Sequence, residues 1–313
     1  LKCIALFSGG LDSLLAIKVI EEQGIEVIPV SFNSYFFGIN EYNLEKSFGI
    51  NVKVIDISKE HLDIVYNPVY GYGKNINPCI DCHLLMIKKA GSLLNEYGAS
   101  FLITGEVLGQ RPMSQNRRAI DILDKASGLK GLILRPLTAK NLDITIPEKE
   151  GWVNRDKLFD IKGRERKIQF ELIKRYDIKY YSKPGGGCIL TMPSFSNRIK
   201  FLKEESIQNP YILKSIKYGR FLRFGKGKYA VVSRNEKESK KLKAIDKYDL
   251  FLEPYDKPGP NIIYFGDVDE NIVDICKHIF LHYAKVDEAN VYINGILEFI
   301  KNRKKYNLKS YII

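Results

Sequence analysis

The chain has 313 residues, 45% of them hydrophobic and 27% charged, a balance that excludes wholesale disorder and exceeds what one small core needs, so a larger and a smaller domain are expected. Its net charge of +12 favours an anionic partner such as a nucleic acid. No apolar run reaches membrane-span length, LKCIALFSGG lacks a charged-then-apolar leader, and five widely spaced cysteines argue against a secreted disulfide framework. A cytoplasmic protein with catalytic or metal-binding thiols, no membrane partner, and processing or trimming ahead of Leu1 is the expectation.

In the first half, strand and helix signals alternate. CIALF (3–7) is a short apolar strand, and LDSLLAIKVIEEQG (11–24) has helical periodicity with Gly24 as its C-terminal cap. EVIPVSF (26–32) reads as a strand, a helix is expected around 41–48, and NVKVIDI (51–57) is a further strand. A long loop leads to a helix over 80–97, then a strand SFLITGE (100–106), a helix near 114–126 and a strand GLILRPL (131–137). This order predicts an α/β fold, a parallel sheet covered on both faces with its ligand site at the carboxyl ends of the strands.

GRERKIQFELIKRYDI (163–178) is a basic helix candidate, and the glycine triplet of KPGGGCILT (183–191) precludes regular structure. Beyond the turn QNP (208–210), YGRFLRF, KYAVVSRN and NIIYF alternate like strands, and ENIVDICKHIFLHYAK (270–285) is helical. The predicted organisation is a nucleotide-binding domain over 1–205, including loop 183–191, and a smaller α+β domain over 206–313. Two basic clusters mark that second part: KSIKYGRFLRFGKGK (214–228), which contains no acid, and KNRKKYNLK (301–309).

SGGLDS (8–13) joins the first strand to the first helix. Gly9 and Gly10 allow a tight turn that brings bare N–H groups to a phosphate, Ser8 and Ser13 add hydroxyls, and the helix start adds its dipole. Asp12 alone would repel phosphate, so its presence points to a bridging Mg2+. The bland reading is an ordinary strand-to-helix turn with Asp12 near a cap.

This loop resembles the SGG-x-DS pyrophosphate (PP-) loop of the N-type ATP pyrophosphatases, which adenylate a carbonyl oxygen with ATP and let a nucleophile displace AMP. The resemblance implies pyrophosphate binding by Ser8, Gly9, Gly10, Asp12 and Ser13, adenine near Val30, Ser31 and Phe32, and Gly105 and Glu106 close to the nucleotide. NPCIDCH is similar to the NP-x-x-x-C segment of the tRNA 2-thiouridylases, and TGEVLGQRPMSQ (104–115) to the TGE-x-LGQ-x-x-SQ segment of the tRNA 4-thiouridine synthetases. SKPGGGCILT places Cys188 as in thiouridylase-like proteins with a carboxy-terminal RNA-binding domain. YGRFLRF, VVSRNEKE and DLFLEPYDKPGP resemble the RNA-binding domain of ribosome-quality-control fibronectin-binding-like proteins.

Cys79, Cys82 and Cys188 admit three readings. One is structural zinc with His83 as fourth ligand, for which a histidine adjacent to Cys82 is badly spaced. Another is a persulfide pair, in which Cys79 or Cys82 attacks and Cys188 carries the sulfur. The third, favoured by the resemblance, is a 4Fe-4S cluster held by the three thiolates. Cys3 and Cys276 read as core residues; His61, His278 and His282 have no partner motif.

The expected activity is thus tRNA-uridine thiolation, catalysed by Cys79, Cys82, Cys188 and Asp12. It would use ATP, Mg2+ and a sulfur donor, either sulfide or a cysteine desulfurase with its carrier. Lys183, Arg164, Arg166, Arg111 and Arg117 are candidates to hold the RNA backbone, each with a solvated surface charge as the alternative. The competing readings are an ATP-independent desulfidase of thiouracil, an amide synthetase and a non-catalytic RNA adaptor.

Overall fold

The computed structural model describes residues 1–39, 50–179, 181, 187–301 and 306–313. The expected helix at 41–48, Lys183 and most of the glycine triplet lie outside the described residues. The chain divides into two compact units, Leu1–Cys188 and Ile189–Ile313. The division falls earlier than the boundary expected at 205/206 because the helices just before and after that position belong to the second unit. There Phe201 meets Phe221 and Tyr229, and Arg198 donates to the carbonyls of Ile216 and Gly219.

Among the described residues of the first unit, five strands form a parallel sheet: β1 (Lys2–Leu6), β2 (Glu26–Asn33), β3 (Lys53–Asp56), β4 (Phe101–Thr104) and β5 (Ile133–Leu134), in the order β3-β2-β1-β4-β5. The apolar runs of β1 and β4 serve both faces, as a doubly covered sheet requires. Cys3, Ala5, Phe101 and Ile103 pack with helix α1 (Leu11–Glu21), while Ile4 and Leu102 join Ile87 and Ala90 on the opposite face. Helix α1 is buried nearly all round and stops where Gly24 takes a left-handed φ of 77°, its N–H bonded to the carbonyl of Glu21.

Helix α2 (Ser58–Tyr66) occupies what reads in the sequence as loop; its polar face hides the short apolar stripe Leu62, Val65, Tyr66. Helix α3 (Cys79–Ser92) begins at the first cysteine and ends short of the expected 97, the chain continuing as turns to Gly98. Asp81, in its first turn, accepts the N–H groups of Val69 and Tyr70 and so ties down the preceding loop. Helix α4 (Arg117–Ala126) starts later than expected because Asn116 caps it, accepting from the Ala119 N–H at 2.9 Å. The basic helix candidate contracts to α5 (Lys167–Arg175).

Among the described residues of the second unit, six strands form a sheet with antiparallel pairings in the order β11-β10-β8-β9-β7-β6, running from β6 (Arg220–Gly225) and β7 (Lys228–Val232) through β8 (Leu250–Pro254) and β9 (Ile262–Phe265) to β10 (Glu288–Ile293) and β11 (Ile296–Lys301). The helix Glu270–Ala284 buries Ile272, Ile275, Cys276, Ile279 and Phe280 against it, a 3.6-residue stripe. No helix of the described residues is long and apolar enough to cross a membrane.

Candidate active site

The strand order fixes where a ligand fits. β1 has β2 on one side and β4 on the other, so the chain reverses direction across the sheet there, and a crevice opens beyond the carboxyl ends of β1 and β4. Residues 8–13 follow β1 and residues 105–110 follow β4.

In the first of these loops Gly9 adopts a φ of 70°, a conformation glycine takes without strain. The Gly10 N–H meets Ser8 Oγ at 3.3 Å and Ser13 Oγ donates to the Gly10 carbonyl at 2.8 Å. No side chain caps the start of α1, so its first-turn N–H groups are left for an anion. Asp12 Oδ2 accepts from Gln110 Nε2 at 2.7 Å and lies 3.8 Å from the Arg166 guanidinium. Its other oxygen, Oδ1, is buried and has no hydrogen-bond partner. Val30, Ser31 and Phe32 are buried, and the Ser31 hydroxyl is committed to the Phe7 carbonyl at the root of the loop.

The second centre is built from buried charges. Cys79 and His83, four residues apart, lie on one face of α3, where each acts on the ionisation of the other. His83 Nδ1 meets Glu106 Oε1 at 2.8 Å; Glu106 Oε2 accepts from Arg135 Nε at 2.8 Å and from Thr104 Oγ1 at 3.2 Å. Arg135, 1% exposed, is held on its other side by Asp124 at 2.9 Å. Burial opposes charge on every one of these groups, and the partners outweigh it for most. Arg135, then His83, hold the Glu106 carboxyl down to about 2, while Cys79 and Glu106 lift His83 to about 9. The Asp124 carboxyl is the exception: burial raises it despite Arg135.

Burial likewise pushes the Cys79 thiol up, but the contact with His83, the Ser114 hydroxyl and the charge of Arg111 bring it below its ordinary value. Cys82 moves the other way, raised by burial and then by the charges of Cys188 and Cys79 beside it. Of the three sequence-predicted cysteines, Cys82 thus lies within electrostatic reach of the other two. Among the described residues, no three His, Cys, Asp or Glu side chains are gathered tightly enough to hold a metal ion.

His83 and Arg135 are the site residues that sequence reasoning missed. The position of His83 beside Cys82 told against it as a zinc ligand, whereas its i, i+4 relation to Cys79 on a helix was the readable signal. Arg135 carried no signal, because its partners lie on other elements. Glu106, expected beside the nucleotide, has both carboxylate oxygens turned to His83, Arg135 and Thr104. Arg117 is paired with Asp121 and Asp143 and Arg164 is exposed, while Cys3 and Cys276 are buried in the cores. In the second unit Phe221 is fully buried, stacked on Tyr229, and Phe224 packs on Tyr264 and Tyr311. Arg220 lies over Tyr283, and Arg223 lies over Phe201 and pairs with Glu205.

Residues 1–146 match the family described as thiamine biosynthesis protein (ThiI), and residues 219–308 match the NFACT protein RNA binding domain. The chain is thus similar to the ThiI family over its first 146 residues and to an NFACT-type RNA-binding domain over residues 219–308. The ThiI-family match spans the nucleotide loop, the two cysteines of α3 and Glu106, and ends before Cys188. A probable tRNA sulfurtransferase of Thermococcus kodakarensis is 31% identical over 147 residues, covering 44% of this chain and 36% of that protein. A tRNA-specific 2-thiouridylase MnmA of Campylobacter curvus is 31% identical over 118 residues, covering 34% of each. The chain spans about a third of the length of these curated relatives. A solved 4-thiouridine synthetase–RNA complex with bound ATP shares 16% identity over 68% of this chain and 52% of that one, with a TM-score of 0.37.

Proposed function

We propose that the protein is a tRNA sulfurtransferase that thiolates a uridine in tRNA at the expense of ATP. The observation that carries this reading is the placement of a phosphate-type loop and a polarised thiol at the carboxyl ends of two adjacent strands, β1 and β4. The uridine carbonyl is a poor electrophile because oxide is a poor leaving group. Its oxygen attacks the α-phosphorus of ATP and pyrophosphate departs; sulfur then attacks the activated carbon and AMP leaves.

The N–H groups of Gly9 and Gly10, the hydroxyls of Ser8 and Ser13 and the start of α1 would hold the pyrophosphate charge. The unpartnered, buried Oδ1 of Asp12 fits a Mg2+ ligand that bridges to the phosphates. Adenine would lie at the end of β2, beyond Val30, Ser31 and Phe32, with Gly105 beneath the phosphates. The second unit would hold the tRNA, as its excess of Lys and Arg over Asp and Glu suits. Such an enzyme would work in the cytoplasm.

Cys79, Cys82 and Cys188 are soft donors of the kind a 4Fe-4S cluster takes and would hold one once drawn closer together than they stand here. Bound there, the cluster would supply sulfide to the activated carbon. The lowering of the Cys79 thiol by His83, one helical turn away, favours a second reading, in which a cysteine persulfide carries the sulfur and a disulfide closes the cycle. Sulfide would serve the cluster; the persulfide would be loaded from a cysteine desulfurase or its carrier, whose own persulfide hands over sulfur already at that oxidation level.

The test is anaerobic incubation with tRNA, ATP, Mg2+ and sulfide, with pyrophosphate and thio-uridine both measured. Thio-uridine formation that requires ATP supports the reading; sulfur release from thiouracil at full rate with no nucleotide overturns it. Iron and sulfide analysis, with the assay repeated with a cysteine desulfurase and cysteine in place of sulfide, separates the two carriers: an iron-free, colourless protein that thiolates from the desulfurase but not from sulfide leaves the persulfide.

A further inference from the structure

Between the two half-sites runs one short segment, Thr104–Gln110, and it touches both. A Cβ on Gly105 would stand 2.4 Å from the Ser13 nitrogen and 2.5 Å from the Asp12 carbonyl carbon. These are backbone atoms of the nucleotide loop, and they cannot yield as a flexible side chain would. Five residues on, Gln110 reaches back to Asp12. The residue beside Gly105 is Glu106, whose carboxylate is bound to His83, Arg135 and Thr104, and His83 stands one helical turn from Cys79 on the same face of α3. A chain of close contacts therefore leads from the backbone that would bind ATP to one particular sulfur.

We propose that this segment sets the nucleotide loop against the sulfur site, with Glu106 and His83 as positioning residues that fix Cys79, one of the thiols that would hold or discharge the transferred sulfur, relative to the carbon activated on the nucleotide side. The inference rests on the functional reading above and adds to it the residues that join its two steps. Its physical basis is orientation: a misplacement of about 1 Å between reacting groups can cost about 100-fold in rate. Arg135, fixed by Asp124, stops the Glu106 carboxylate from swinging, and Thr104 holds the same oxygen. His83 is thereby fixed from the side opposite Cys79. With the sulfur misaimed, water would capture the adenylated uridine instead. Pyrophosphate and AMP would then be released without thio-uridine.

The experiment uses the full chain with His83→Ala and the near-isosteric Glu106→Gln. The first readout is pyrophosphate released per thio-uridine formed, with tRNA, ATP and sulfide. The second is the rate of iodoacetamide labelling at Cys79, followed by peptide mass spectrometry on cluster-free protein across pH. The expected result for His83→Ala is a ratio at least about tenfold above the parent chain, with slower Cys79 labelling. Glu106→Gln, which keeps the shape of the network, should shift both in the same direction but less. Pyrophosphate and thio-uridine falling in parallel, with Cys79 labelling unchanged in both variants, would overturn the proposal and leave the network a matter of folding alone. If the parent chain released no pyrophosphate with any tRNA, the functional reading would fall, and the Cys79 labelling rates would still decide whether His83 and Glu106 position the sulfur.

Discussion

The two half-sites lie at the ends of neighbouring strands yet are made in opposite ways. The nucleotide loop is local: six consecutive residues, mostly backbone and small side chains, fold back on themselves through Ser8, Gly10 and Ser13. The sulfur end is assembled from residues 79, 83, 106, 124 and 135 on four elements, around the buried pair Glu106 and Arg135. The difference follows from what each would do under the proposed function. A polyphosphate arrives fully charged and needs only donors in the right places. A thiol has its charge state set by the groups around it, so its surroundings must supply charge in a fixed, low-dielectric arrangement.

The contrast is sharpest where a buried charge loses its partner. Glu106→Ala leaves Arg135 with Asp124 alone, and breaking a buried pair of this kind costs about 3–5 kcal/mol. Chemical denaturation should show that loss, whereas Ser8→Ala, in the local loop, should fall within about 1 kcal/mol of the parent. Equal losses would erase the distinction between the two ends. Next in size is Gly105→Ala. Its added carbon collides with the backbone of Asp12 and Ser13, and a displaced loop should reduce tRNA-dependent pyrophosphate release by about 100-fold.

pH should separate the two ends as well. Glu106 is held at about 2 against an ordinary 4.5, so its contribution to stability is complete above 4.5 and is lost as pH falls toward 2. His83 is raised from 6.5 to about 9, so its contribution is complete below 6.5 and is lost as pH rises through 9. The stability gap between the parent chain and a His83→Ala, Glu106→Gln double variant should therefore be widest between those limits and narrow on both sides. Denaturant midpoints measured across the range would check it. A gap constant with pH would mean that these groups do not ionise as the geometry implies.

This contrast also decides what could be read in the sequence. SGGLDS was legible because its conformation is local: glycines, hydroxyls and a helix start follow one another in the chain, after an apolar strand. The i, i+4 spacing of Cys79 and His83 was equally visible, yet it acquires meaning only once β4 delivers Glu106 to the far side of the ring. Arg135 sits in GLILRPL, which reads as one strand; the structure pairs only Ile133 and Leu134 before the chain turns at Pro136, and Arg135 turns inward to carboxylates. A long-range ion pair has no periodicity, so no pattern announces it. In the second unit, alternation located β6 but could not assign its faces. Phe221 went to the core, while Arg220 and Arg223 stack on rings.

The smallest expected effect concerns two arginines that the sequence makes equivalent, Arg111 and Arg117, both flanking the segment after β4. Arg117 is half exposed and already paired with Asp121 and Asp143, so Arg117→Gln should change stability by less than about 1 kcal/mol and leave Cys79 untouched. The charge of Arg111 helps to lower the Cys79 thiol, ranking after His83 and Ser114 among the groups that do so. Removing it raises the thiol and reduces the thiolate fraction at neutral pH. Arg111→Gln should therefore slow iodoacetamide labelling of Cys79 by about two- to threefold, the smallest effect of those named here. Identical labelling in the two variants would confine the sulfur end to its buried chain from Cys79 to Asp124. A difference would extend it to an exposed guanidinium, whose influence, unlike that of Arg135, should fade as salt is added.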